Sequence, residues 1–215
     1  DIRVGGGVAG AFSALSDTVY TLVVTPTEGY EGNVTVDVAG AVAIDAVGNN
    51  SIEAIQSVQP VDTLAPIVAI ESSAAALKIG ETAAITFTFS EEQEGFTGAD
   101  VTTTGGALGA IRVDANDAKI YTATFTPDAG STAAASITVS TGYTDAAGNT
   151  GGAGTTPSIT IDTVAPTVEI KSDKAALKIG ETATITFTFS EAPTGFDTND
   201  VAVTGGTLGE ITGSG

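Results

Sequence analysis

Residues 77–91 read LKIGETAAITFTFSE, and residues 177–191 read LKIGETATITFTFSE. In the first copy Ile85, Phe87 and Phe89 alternate with Thr86 and Thr88. That period of two puts apolar side chains on one face of a strand and hydroxyls on the other. β-Branched and aromatic residues favour such a pleated, half-buried surface. Gly80 and Glu81 read as the turn that precedes the strand. Outward from this stretch the alternation recurs in Tyr121, Ala123 and Phe125, in Ala135, Ile137 and Val139, and in Ile159 and Ile161. Val68 with Ile70, and Leu77 with Ile79, make a first strand broken by a small-residue kink. Val101 with Thr103, and Ile111 with Val113, supply two more. No segment carries a helical period.

The quoted stretch belongs to a longer repeat. Residues 64–111 and 164–211 align at an offset of 100, with 31 identities in 48 positions. The same offset relates DAVGNN at Asp45 to DAAGNT at Asp145, and LVVTPTEG at Leu22 matches ATFTPDAG at Ala123 with one residue of slippage. Three units follow: residues 1–60 as the back half of a module, 61–161 as a whole module, and 162–215 as a front half. Asp1-Ile-Arg-Val resembles Ala110-Ile-Arg-Val, and the chain stops near the equivalent Ile211, so both cuts are expected near the same point of the repeat.

Seven short strands in about 100 residues, separated by Gly, Asp, Asn and Pro turns, form the pattern of an immunoglobulin-like β-sandwich. The fold expected is all-β, with seven-stranded modules in a linear array. With strands lettered A to G and alternating in direction, loops B–C (Ser90 to Asp100), D–E (Asp114 to Ala118) and F–G (Thr144 to Thr150) share the end where strand A begins. Loops A–B (Gly80, Glu81) and E–F (Thr126 to Ser131) share the opposite, trailing end. The linker VDTLAP, Val61 to Pro66, joins one trailing end to the next leading end, stiffened by Pro66 and, in the next copy, Pro166.

This placement gathers carboxylates. Asp62 in the linker, Glu91 closing strand B, Asp100 opening strand C, and Asp145 with Asn149 in loop F–G converge at the leading end of the whole module. The third module repeats Asp162, Glu191 and Asp200; the first supplies Asp45 and Asn49. Oxygen-bearing groups crowded together without Lys or Arg call for a hard cation, and Ca2+ takes ~6–8 such ligands in loose geometry. The plainer alternative is that DAAGN is a turn in which Asp145 caps backbone amides and Asp62 is a solvated linker residue. Asp114 and Asp117 in loop D–E, and Asp128 and Glu28 at trailing ends, are weaker candidates.

Composition bounds the function. Seven Lys plus Arg against 26 Asp plus Glu give a net charge of −19. No basic patch can form, which argues against nucleic acid, and an anionic membrane surface would repel the chain. No apolar run reaches the ~18 residues of a membrane span, and Asp1 to Gly10 lack the features of a signal peptide, so the chain reads as cut from a larger one. Without Cys there are no disulfides or thiolate sites, and without His or Cys the common bases and nucleophiles are missing. Glu91 and Glu92 could mimic a glycosidase pair, but there is no Trp, and most Phe and Tyr are spent on strands. The sequons at Asn33 and Asn49 read as chance matches on turn-rich sequence.

DTLAP and DTVAP, LKIGETATITFTFSE, GF followed by DV and TGG, YTATFTP and YTDAAGN together resemble the bacterial Ig-like repeats of giant biofilm-associated and RTX-type adhesins. The resemblance covers essentially the whole chain. It implies a repetitive stalk, type I secretion, an extracellular, cell-surface location, and calcium at or near module junctions. Carried over by residue, Asp62, Asp162, Glu91, Glu191, Asp145, Asn149, Asp45 and Asn49 match its motifs. GGGVAGAFSALSD in the first module is longer than the equivalent D–E loop and departs from the pattern. The function expected is a non-enzymatic structural extender whose partners are neighbouring modules. The alternatives are a ligand-binding adhesive module, or a fibre subunit whose identical copies join head to tail by strand complementation.

Overall fold

The computed structural model describes residues 1–213, all β apart from two single-turn 3-10 segments. The first unit carries β1 (Ile2–Gly5), β2 (Gly7–Ala14), β3 (Tyr20–Pro26), β4 (Glu31–Val38) and β5 (Ser57–Asp62). The middle unit carries β6 (Val68–Ser72), β7 (Ala76–Lys78), β8 (Ala83–Phe89), β9 (Val101–Thr104), β10 (Gly106–Leu108), β11 (Arg112–Val113), β12 (Ile120–Pro127), β13 (Ser136–Val139), β14 (Gly154–Thr155) and β15 (Thr160–Asp162). The last carries β16 (Val168–Ser172) and β17 (Ile185–Phe189).

The middle unit is an immunoglobulin-like sandwich. One sheet has the order β10-β12-β8-β6, with β11 also on β12, and the other the order β14-β13-β9. In letters these are D–E–B–A and G–F–C, the constant-type arrangement. The kinked first strand changes sheets: β6 pairs antiparallel with β8, whereas β7 runs parallel to β15, with Leu77 opposite Ile161. Alternation fills the space between the sheets. Ala83, Ile85, Phe87 and Phe89 of β8 are buried, as are Phe125, Ile137, Val139, Ile159 and Ile161. Phe96 and Tyr143 close the leading end, each edge-on to Phe89 with ring centroids 4.9 and 5.1 Å away.

The structure corrects the sequence reading at four points. Leu77 is buried but Ile79 is 58% exposed, because the chain turns at Gly80 (φ +79°). Val113 faces solvent, while Ile111 packs on the core. Val61 and Asp62 lie in β5 rather than in a free linker, so the connection shrinks to Thr63–Pro66. Lastly, Ile2 pairs with Val38 as Val101 pairs with Val139, and Gly7 with Pro26 as Gly106 with Pro127. Asp1-Ile-Arg-Val is therefore strand C, equivalent to residues 100–103 and not to Ala110–Val113. The first unit thus holds strands C to G, and its first residues repeat the part of the module that residues 200–213 also represent.

Local sequence alone does not make the weaker strands. Ala76–Lys78 is a strand against β15, and Val101–Thr104 a strand against β13. The identical stretch 176–178 and the equivalent stretch 201–204 have no such partners among the described residues and are irregular. Strand preference is largely preference for a neighbour. β16 and β17, which supply each other, pair in the register of β6 and β8.

Candidate metal centre

The end of β5, the end of β8 and the F–G loop meet where the first and middle units adjoin. Asp62, Glu91 and Asp145 each offer a carboxylate oxygen there, all within 4.8 Å of one another. Each is placed by its own backbone. Asp62 ends β5, where its Oδ1 accepts from Leu64 N at 2.9 Å and so turns the linker. Glu91 follows Ser90, whose amide donates to Ile67 O and whose Oγ accepts from Ile67 N, fixing the end of β8. Asp145 is 2% exposed, and its Oδ1 accepts from Asn149 N at 2.8 Å. Gly148 takes φ +93°, which closes the DAAGN turn.

The electrostatics are those of a site short of positive charge. Glu91 Oε1 is shut off from solvent and has no hydrogen-bond partner. Burial raises the pKa of Glu91 above the ordinary glutamate value, and the charges of Asp145, Asp62 and Glu31 raise it further. At Asp145 burial pushes the same way, but hydrogen bonds from the Asn149 side chain and from the backbone of Asn149, Gly148 and Ala147 outweigh it, leaving its pKa lowered. Both ion pairs among the described residues, Lys78–Glu81 and Lys171–Glu169, involve other side chains. An acidic cluster with a buried, unpartnered oxygen and only oxygen donors fits a hard divalent cation, held by Asp62, Glu91 and Asp145.

The other predicted residues are placed differently. Asn149 touches the cluster as a donor: its Nδ2 lies 2.7 Å from Asp145 Oδ2 and 3.2 Å from Asp62 O. Asp100 spends its Oδ2 on Thr97 N and Oγ1, capping the 3-10 turn Gly98–Asp100. Asp45 and Asn49 form the same turn as Asp145 and Asn149, fully exposed, with Asp45 held below the usual aspartate range by Asn49. Asp162 Oδ1 accepts from Val164 N as Asp62 does from Leu64, while Glu191 is exposed and Asp200 caps its turn through Asp197 N. Asp114 and Asp117 serve local turns, through Asn116 N and Lys119 N. Sequence reasoning missed Glu31. It stands directly opposite Asp62 in the β4–β5 pairing and acts on Glu91 across the junction. Its signal was faint, because the equivalent position in the middle unit is Thr132, beyond the matched TPDAG turn.

The sequence profile of bacterial Ig-like domains matches residues 62–161 and again residues 162–215, each match starting at the aspartate that ends a unit's last strand. The chain belongs to the bacterial Ig-like domain family. It contains these domains in tandem, and the repeat of 100 residues is the family's unit. No curated protein matches the chain. Among solved structures, the bacterial Ig-like chain is similar to FdeC, a broadly conserved Escherichia coli adhesin, at 13% identity and a TM-score of 0.35, over 89% of this chain and 62% of that one. The chain thus spans less than two thirds of that structure, and a likeness this loose carries no argument about function.

Proposed function

We propose that this chain is a stretch of stalk from a large bacterial cell-surface adhesin of the biofilm-associated or RTX type, a structural extender whose junctions are stiffened by calcium. The observation that carries the reading is the composition of the cluster. Asp62 ends the last strand of one unit, and Glu91 and Asp145 belong to the next. A cation held by all three ties two modules together and fixes their angle. Asp162 and Glu191 repeat two of the three positions at the following junction, so the device is serial, as a stalk requires. The longer Gly- and Ala-rich stretch of the first module, from Gly5 to Ser16, is the one departure from the repeat, and its composition does not suit a binding head.

An extracellular-type site with Kd ~10⁻⁴ M, in ~10 mM calcium, would stabilise the junction by about 2.7 kcal/mol. Scattering and thermal melting of the same chain in calcium and in chelator test the reading. The expected result is a longer, stiffer particle and a higher midpoint in calcium. Unchanged dimensions and an unchanged midpoint would remove calcium from the account.

A further inference from the structure

The connection between units is fastened at both ends by contacts that need no cation. On the upstream side the fastener is a threonine. Thr63 Oγ1 donates to Thr27 O at 2.6 Å and accepts from Tyr30 N at 3.0 Å. Its backbone adds two bonds, Thr63 N to Tyr30 O at 2.9 Å and Gly29 N to Thr63 O at 3.2 Å. The next junction repeats all four. Thr163 Oγ1 donates to Asp128 O at 2.6 Å and accepts from Ser131 N at 2.9 Å. Thr163 N reaches Ser131 O at 2.9 Å, and Gly130 N reaches Thr163 O at 3.2 Å. Thr163 is 7% exposed. The turn it grips is the E–F loop, TPTEGY in one unit and TPDAGS in the next.

On the downstream side Asn149 Nδ2 reaches Asp62 O and, at 3.4 Å, Leu64 O, and Gly152 N donates to Pro66 O at 2.8 Å. Tyr143 is fully buried beneath this point and donates its hydroxyl to Gly152 O at 2.6 Å. Between Thr63 and Pro66 lie two residues: Leu64, whose amide donates to Asp62 Oδ1 and whose carbonyl takes the longer of the Asn149 contacts, and Ala65, which Pro66 restricts to extended backbone.

We propose that Thr63 and Thr163 are the positioning residues of the junctions: each side chain locks the outgoing chain onto the E–F turn of its own module, which confines any hinge to the two residues that follow. A threonine suits the task. One hydroxyl both donates and accepts, and the β-branch limits χ1 and holds the oxygen toward the turn. The lock sets the direction in which Asp62 leaves the strand, with or without a bound ion.

The test is made in chelator, so it stands apart from the calcium reading. The chain has no native Cys, so Gln59→Cys and Thr124→Cys, both exposed strand positions, accept spin labels one on each side of the first junction. Thr63→Val keeps the shape and removes the hydroxyl; Thr63→Ser keeps the hydroxyl. The expected result is a narrow distance distribution in the parent and in Thr63→Ser, and a broad one in Thr63→Val. Amide exchange gives a second readout: the Tyr30 amide loses protection in Thr63→Val and keeps it in Thr63→Ser, whatever the effect on overall stability. A distribution already broad in the parent, or as narrow in Thr63→Val as in the parent, overturns the proposal. So does a Tyr30 amide indifferent to the substitution.

Discussion

Glu91 is the residue on which the junction chemistry turns, and its two states pull in opposite directions. Without a cation its charge is buried among carboxylates, so Glu91→Gln should leave the chain in chelator at least as stable as the parent. In calcium the same variant should lose the stabilisation of the site, about 2.7 kcal/mol for a site of the affinity assumed above. Melting curves under both conditions check this crossing; a variant destabilised equally in both would make Glu91 a fold residue. The pH dependence follows from the pKa directions. Glu91 is raised in the folded state, so the folded chain binds its proton more tightly than the unfolded chain does. Metal-free stability should therefore fall as pH rises from the ordinary glutamate value through the raised one. Asp145 is lowered, so its contribution is present above the ordinary aspartate value and is lost as pH falls through the lowered one. Denaturant midpoints over that acid range should lose the Glu91 slope in Glu91→Gln and keep the Asp145 slope. Glu31→Gln should weaken calcium binding at the first junction, read by calorimetry, and leave the second junction, with Thr132 in that place, untouched. The sequence made Asp62, Glu91 and Asp145 legible because strand alternation sorts loops to ends. It could not show that Asp100 is taken up by its own capping turn, since that depends on a 3-10 segment of three residues.

At the scale of elements, the strongly alternating strands were readable and the weak ones were not. Ile85, Phe87 and Phe89 announce β8, and Ile185, Phe187 and Phe189 announce β17, which forms even where its unit lacks a second sheet among the described residues. β7 and β9 owe their existence to β15 and β13, a dependence invisible in a local pattern. The misplacement of Asp1–Val4 has the same origin: Ile-Arg-Val looks like residues 111–113, but pairing with β4 decides its place. Tyr143 links the elements at the leading end, packing its ring against Phe89 and Phe96 and holding the F–G loop through Gly152. Gly151 lets the ring lie there, since a Cβ at that position would come within 2.1 Å of it. Tyr143→Phe keeps the ring and leaves the Gly152 carbonyl without its donor, which should cost on the order of 1 kcal/mol. Denaturant unfolding measures this, and Gly151→Ala should cost more by forcing the ring to move.

At the scale of the molecule, the stalk proposed above predicts a rod of serial sandwiches, each module advancing on the order of 40 Å from strands at ~3.3 Å per residue plus a connection. With a charge of −19 neighbouring chains should repel one another, and screening it with monovalent salt should change association between chains more than the angle at a junction. The claim that a cation bridges two modules is tested most directly by titrating the full chain with calcium while following backbone amide shifts. The account predicts saturable changes concentrated at Asp62–Ala65, Ser90–Glu92 and Thr144–Asn149. Weak, unsaturated changes spread over all the carboxylates would contradict it.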